Sequence, residues 1–214
     1  MAAVATIGFL HTADVHVGTF RALAAELAPD TADVHVVDPT LLTRDLTPKL
    51  RERLRTRLRE LRDAGADAIL CTCSTLGDHA ERAGTGTGIT VVRIDRPMAE
   101  AAVAAGGRVA VVVAAESSQE PTLGLLRDCA ARAGAQVTLV PYPCFPAWDL
   151  FVAGDHDAYV SWIAAHCREI APHAEVVVLG QASMASAAEH LGDLPIPVLT
   201  SPRMAVQRIR EALP

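Results

Sequence analysis

The residues with the most chemical reach lie in one short stretch, Ala68-Ile69-Leu70-Cys71-Thr72-Cys73-Ser74-Thr75-Leu76-Gly77. An apolar run ends in two thiols and small hydroxyl side chains, and a helical pattern follows. A buried parallel strand delivers side chains to the carboxyl edge of a sheet in this way, and open α/β folds place their ligands at that edge. At a helix N-terminus, Cys73 meets unpaired backbone N–H groups and the positive end of the helix dipole, which stabilise a thiolate. Such a thiolate serves as a general base or as a nucleophile. The same N–H groups, with the hydroxyls of Ser74 and Thr75, suit a carboxylate. The competing reading makes Cys71 and Cys73 small buried hydrophobes, as free cysteine often is.

The pattern returns late in the chain as Glu175-Val176-Val177-Val178-Leu179-Gly180-Gln181-Ala182-Ser183-Met184-Ala185. Setting Cys73 on Gln181 gives strand, thiol or amide, small residue, hydroxyl or small residue, helix in both places. Other candidates stand at other strand ends. His11 and His16 flank a loop after the first strand, with Thr12 and Asp14 in it. They are ligands or proton donors there, or simply polar loop residues. Ser117, Ser118 and Thr122 hold the equivalent place in the second half, where they bind a substrate carboxylate or cap the following helix. His79, a turn and a half past Cys73, orients the thiol or is a surface residue. Cys71-x-Cys73 is not a zinc spacing, and no CxxC is present. Gly84, Gly86 and Gly88 lack the strand-to-helix context of a nucleotide motif.

The elements that position these residues alternate along the chain. Strands are predicted at 4–10, 34–38, 68–70 and 89–94, then at 108–115, 136–140, 176–179 and 195–199. Helices are predicted at 19–27 with Thr19 as N-cap, at 49–64, 76–83 and 98–105, then from Pro121 to Ala133, at 155–171, 184–191 and 201–213. Three prolines between Pro141 and Trp148 argue against regular structure there. In the second helix Leu50, Leu54, Leu58 and Leu61 form one apolar stripe, so the arginines on its other face read as a solvated surface. Alternation of strand and helix argues a parallel α/β architecture. The order strand–helix–strand–helix–strand–loop–helix–strand occurs twice, so we read an internal duplication. The expected division is a first lobe of 1–97 plus about 199–214 carrying the Cys73 loop, and a second lobe of 98–198 carrying the Gln181 loop.

The 214 residues are 50% hydrophobic and only 4% aromatic, with a formal net charge of −6. The sequence pI is about 5.7 and the mean hydropathy +0.25. Such a chain buries a sizeable core, and it lacks the basic face that nucleic acid binding requires. No run approaches the roughly 18 apolar residues of a membrane span. The first residues carry no basic leader. Five cysteines without framework spacing read as free thiols in a reducing cytoplasm.

A strand followed by Cys73-Ser74-Thr75 and a helix, with a second strand followed by Gly180-Gln181-Ala182-Ser183-Met184, resembles the aspartate/glutamate racemase superfamily. That group includes glutamate, aspartate and hydantoin racemases, maleate isomerase and arylmalonate decarboxylase. The resemblance implies two pseudo-symmetric Rossmann-like lobes, each a parallel sheet flanked by helices, with the active site in the cleft between them. It implies no metal or organic cofactor, a small carboxylate substrate, and a homo-oligomer. In the racemases one cysteine from each lobe faces the α-carbon; one removes the proton and the other delivers one. Here the first of these falls on Cys73 and the second on Gln181. Ser74 and Thr75 match the pair that holds a carboxylate, and Ser117 and Ser118 the hydroxyl cluster of the second lobe; His11, Thr12 and Ala182 complete the expected substrate contacts. An amide hydrogen-bonds but does not shuttle protons as a thiol does. The resemblance therefore implies a single-thiol racemase or isomerase, a decarboxylase that uses Cys73 as its one acid, or a family member that binds a small acid without turning it over.

Overall fold

The computed structural model describes residues 4–43 and 45–214. Residues 1–3, on which the absence of a basic leader partly rests, lie outside the described residues. The chain divides into two compact units, Met1–Ile94 with Pro202–Pro214, and Asp95–Ser201.

The first unit runs β1 (Thr6–His11), α1 (Val15–Leu27), β2 (Ala32–Val37), α2 (Pro48–Asp63), β3 (Ala68–Cys71), α3 (Ser74–Thr85) and β4 (Thr90–Arg93). Its four strands are parallel, in the order β2-β1-β3-β4. β3 is buried along its whole length, which explains its unbroken apolar run. α2 begins where its sequence says: Thr47 accepts a hydrogen bond from the Leu50 N–H, and Pro48 fills the first helical position, where a missing N–H costs nothing. Leu54, Leu58 and Leu61 are buried, each contributing about 1.5–3 kcal/mol. The arginine face is not wholly solvated. Arg53 and Arg57 reach the carboxylate of Asp38, which is 1% exposed, and so tie α2 to the end of β2.

The second unit runs α4 (Arg96–Ala105), β5 (Gly107–Val112), α5 (Glu116–Ala133), β6 (Val137–Pro141), α6 (Pro146–Val152), α7 (His156–Ile170), β7 (Val176–Leu179), a 3-10 segment (Ala182–His190) and β8 (Val198–Thr200). Its order, β6-β5-β7-β8, repeats that of the first unit strand for strand, again all parallel. The chain then enters α8 (Ser201–Glu211). Arg203 binds Glu26 through two contacts of 2.8 and 2.7 Å, and Arg210 donates to the Leu27 carbonyl, so α8 closes the first unit.

Several element boundaries differ from expectation, each for a local reason. α1 starts at Val15, not Thr19, with Asp14 as an N-cap whose side chain makes no capping bond; the first turn bonds through the Val17 N–H to the Asp14 carbonyl at 3.0 Å. α5 starts at Glu116 and passes through Pro121, although Pro121 reads as a first-turn residue. The irregular stretch is shorter than the prolines suggest, because Pro146 opens α6. The expected helix near residue 184 is a 3-10 segment instead, starting with the Met184 N–H on the Gln181 carbonyl at 3.0 Å.

Candidate functional site

In the first unit the candidate residues gather at the carboxyl ends of β1 and β3, which are neighbours in register, Leu10 opposite Cys71. The Thr72 N–H donates to the Leu10 carbonyl at 3.0 Å, extending the ladder one residue into the turn. Cys73 is the N-cap of α3, with extended backbone at φ −110° and ψ 113°. Ser74 and Thr75 form the first turn of that helix. All five cysteines are buried and none forms a disulfide, yet they are not equivalent. Cys73 is 8% exposed, whereas Cys71, Cys144 and Cys167 are 0% exposed. The Cys71 thiol donates to the Cys73 carbonyl at 3.7 Å, so the inner sulfur braces the turn that carries the outer one.

Beneath that turn lies a buried cation. The Arg93 guanidinium, at the end of β4, donates to the Ser74 carbonyl at 3.4 Å. Gly77 makes room for it: a Cβ there would stand 2.8 Å from the Arg93 Nε. The sequence signal for both was an arginine ending an apolar strand and a glycine one turn into the facing helix.

His11 is fully buried, and both of its ring nitrogens are engaged. Nδ1 lies 2.8 Å from the Thr72 hydroxyl and Nε2 lies 2.9 Å from Nδ1 of His35. His35 Nε2 in turn lies 2.6 Å from an Asp33 carboxylate oxygen. The rings of His11 and His35 stack at 5.2 Å between centroids, and Phe9 stacks on His35 at 4.8 Å. Burial, then the facing charges of His35 and His16, push the His11 pKa down to about 3. His11 therefore belongs to an internal network and has no free ring nitrogen for a ligand. Thr12 is buried beside it. Asp14 is exposed, while His16, within α1, and His79, on α3, are half-buried.

The second unit builds the same corner from different chemistry. β5 and β7 are neighbours, Val112 opposite Leu179, and Gln181 follows β7 as Cys73 follows β3. It too is an N-cap in extended conformation, at φ −131° and ψ 143°. Its side-chain carbonyl accepts from the Ala114 N–H at 2.6 Å and the Ala115 N–H at 2.8 Å. The amide carbonyl thus takes up the two backbone donors that lead into α5, which leaves its NH₂ group as the remaining donor. Ser117 and Ser118 lie in the first turn of α5 rather than in a loop. Ser118 is buried, whereas Ser117 and Ala182 are half-buried. Thr122 is 1% exposed and its hydroxyl makes no hydrogen bond; it lies against Gly180, where an added Cβ would be 3.2 Å from it.

Thr72, His35, Asp33 and Arg93 are the participants that the sequence reading did not single out. Asp33 and His35 share one strand face by their spacing of two, which was the available clue. Among the described residues no group of His, Cys, Asp and Glu has a metal-holding arrangement, and no helix is long and apolar enough to cross a membrane.

Comparison with known proteins bears on the family and the fold. The model of the Asp/Glu/Hydantoin racemase family matches residues 12–209. No curated protein matches the chain. Among solved structures, aspartate racemase from Picrophilus torridus is similar at 15% identity and a TM-score of 0.69, covering 97% of this chain and 94% of the other. Allantoin racemase from Klebsiella pneumoniae is similar at 18% identity and a TM-score of 0.65, covering 97% and 86%. A glycine-to-cysteine mutant of arylmalonate decarboxylase in its sulfate-associated form is similar at 18% identity and a TM-score of 0.63, covering 96% and 93%. The family match spans nearly the whole chain and the fold is shared with these structures: the protein belongs to the Asp/Glu/hydantoin racemase family.

Proposed function

We propose that this protein is a cofactor-independent racemase- or isomerase-type enzyme that acts at the carbon next to a carboxylate of a small acid or amino acid, with Cys73 as its single working thiol. The observation that carries the reading is that Cys73 and Gln181 occupy the same corner of two like-ordered sheets, each an extended N-cap. The first corner offers a sulfur and the second an amide. A thiol can take or give the α-proton. An amide can only hydrogen-bond, and Gln181 has its carbonyl already engaged by two N–H donors. What it has left to offer is an N–H pair, suited to an oxygen that gains negative charge, as in an enediolate. Ser74, Thr75, Ser117 and Ser118 supply hydroxyls and helix N-termini for carboxylate oxygens.

One thiol and one fixed donor also suit a lyase, in which loss of CO₂ from a malonate-like acid leaves an enediolate that Cys73 protonates on one face. The Gln181 geometry favours this as the second reading. The deciding experiment incubates amino acids, hydantoins, maleate and substituted malonates with the protein in D₂O. Cys73-dependent deuterium incorporation without loss of CO₂ supports racemase or isomerase action; incorporation with CO₂ release supports the lyase. Tight binding of an acid with no Cys73-dependent exchange on any of them overturns catalysis in favour of a small-acid binder.

A further inference from the structure

Four side chains in the first unit form an unbroken line from the surface to the turn that bears Cys73. Asp33 is 29% exposed and also meets Arg21 at 3.3 Å; His35 is 7% exposed and His11 fully buried. The line ends on the hydroxyl of Thr72, whose own N–H is fixed to the Leu10 carbonyl.

The chemistry of the ends sets the direction of every bond in between. A carboxylate only accepts, so His35 Nε2 donates to Asp33 across 2.6 Å. A neutral His35 then accepts at Nδ1, so His11 must donate from Nε2 and accept at Nδ1. The Thr72 hydroxyl is left to donate into His11 across 2.8 Å. Adding a proton to His35 Nδ1 reverses the interior. His11 then accepts at Nε2 and donates from Nδ1, and the Thr72 hydroxyl turns to the Leu10 carbonyl, 3.2 Å away. The groups that bear on the line from α1 are His16, facing His11, and Arg21, facing His35 and Asp33.

We propose that Asp33, His35 and His11 are positioning residues for the Cys73 turn, a relay of hydrogen bonds oriented from the surface carboxylate inward that fixes the Thr72 hydroxyl and the backbone from which Cys73 projects. The relay deepens the reading of Cys73 as the working thiol, and it acts through Thr72 rather than on a ligand. Burial lowers the proton affinity of both rings, which keeps the neutral, inward-accepting orientation in place at neutral pH.

The test reads histidine tautomers directly by ¹⁵N NMR and, separately, the pH profile of Cys73 alkylation by iodoacetamide, located by peptide mass spectrometry. The expected wild-type result is His11 as the Nε2–H tautomer at pH 7. Asp33→Asn keeps an acceptor and should keep that tautomer. Asp33→Leu should yield mixed His11 tautomers and move the alkylation midpoint by about one pH unit. Thr72→Val is nearly isosteric and keeps the carboxylate end; it should move the alkylation midpoint while leaving the His11 tautomer as in wild type. An Nδ1–H tautomer in wild type, or a Thr72→Val protein with a wild-type alkylation profile, overturns the relay. Neither readout needs substrate turnover, so failure of the relay and failure of the proposed activity are separate results.

Discussion

The side-chain carbonyl of Gln181 lies 2.8 Å from the Ala115 N–H and 2.6 Å from that of Ala114. An amide that is held twice at one end is not a flexible substitute for a thiol. It ties the end of β7 to the two backbone donors that lead into α5, and the group it has left is an N–H donor.

Replacing Gln181 tests that assignment through stability. Gln181→Leu strands two buried N–H groups and should cost about 1–3 kcal/mol, seen as a lower urea midpoint. Gln181→Glu retains an acceptor beside a helix N-terminus and should lose less. Gln181→Cys restores the two-thiol pattern but leaves the same donors without their carbonyl, so it should fold less stably than wild type even if it gains exchange activity.

Thiol chemistry should separate the cysteines. Burial pushes Cys144 and Cys167 up to about 12, and neither sulfur reaches solvent. In native protein near pH 8, iodoacetamide should label Cys73 first and spare Cys144 and Cys167 until denaturant is added. Cys73→Ser should leave the thermal midpoint close to wild type and lower any Cys73-dependent exchange by about 10²–10⁴-fold.

Acid should lower the stability of the protein in two successive pH windows. His11 titrates near 3 when folded and at its ordinary 6.5 when unfolded. The unfolded chain therefore binds more protons between those values, and stability is lost as pH falls below 6.5. His11→Gln should flatten the urea-derived stability slope in that window by up to about 1.4 kcal/mol per pH unit. Asp38 acts lower. Burial alone would raise its pKa, but hydrogen bonds from Arg53, Arg57 and Thr40 outweigh that and hold it well below the ordinary 3.8. Its contribution is present above 3.8 and is lost only as pH falls beneath that value.

Gly77→Ala should disturb the Cys73 turn from below. The new methyl would press on Arg93, both at Nε and at Cβ, and the arginine is only 4% exposed. Overpacking of this kind costs about 1–3 kcal/mol, measurable as a drop in the thermal midpoint, and the same change should alter the Cys73 alkylation rate.

Much of this corner was legible in the sequence. The apolar run into Cys73 and the leucine stripe of α2 each follow from a single periodicity, and the likeness of the Cys73 and Gln181 stretches announced the repeated strand order. What stayed hidden depended on register and on distant partners. His11 read as a loop residue because nothing local shows that β1 and β2 lay it beside His35. Asp38 sits before Pro39 like any turn residue, and only the folded chain brings Arg53 and Arg57 to it. The start of α5 was misplaced because Pro121 looks like a first helical residue, whereas the chain accommodates it one and a half turns further in. Gln181 read as the counterpart of Cys73, but the engagement of its carbonyl stayed hidden because the two N–H groups it binds follow a strand far away in sequence.

The order of the units along the chain has a consequence for biosynthesis. Asp95–Ser201 is continuous, whereas Met1–Ile94 waits for α8, whose Ala205, Val206 and Ile209 are wholly buried. In order of synthesis the residues of the later segment are therefore all present first, and the earlier one, with the Cys73 corner inside it, gains its remaining buried face with α8.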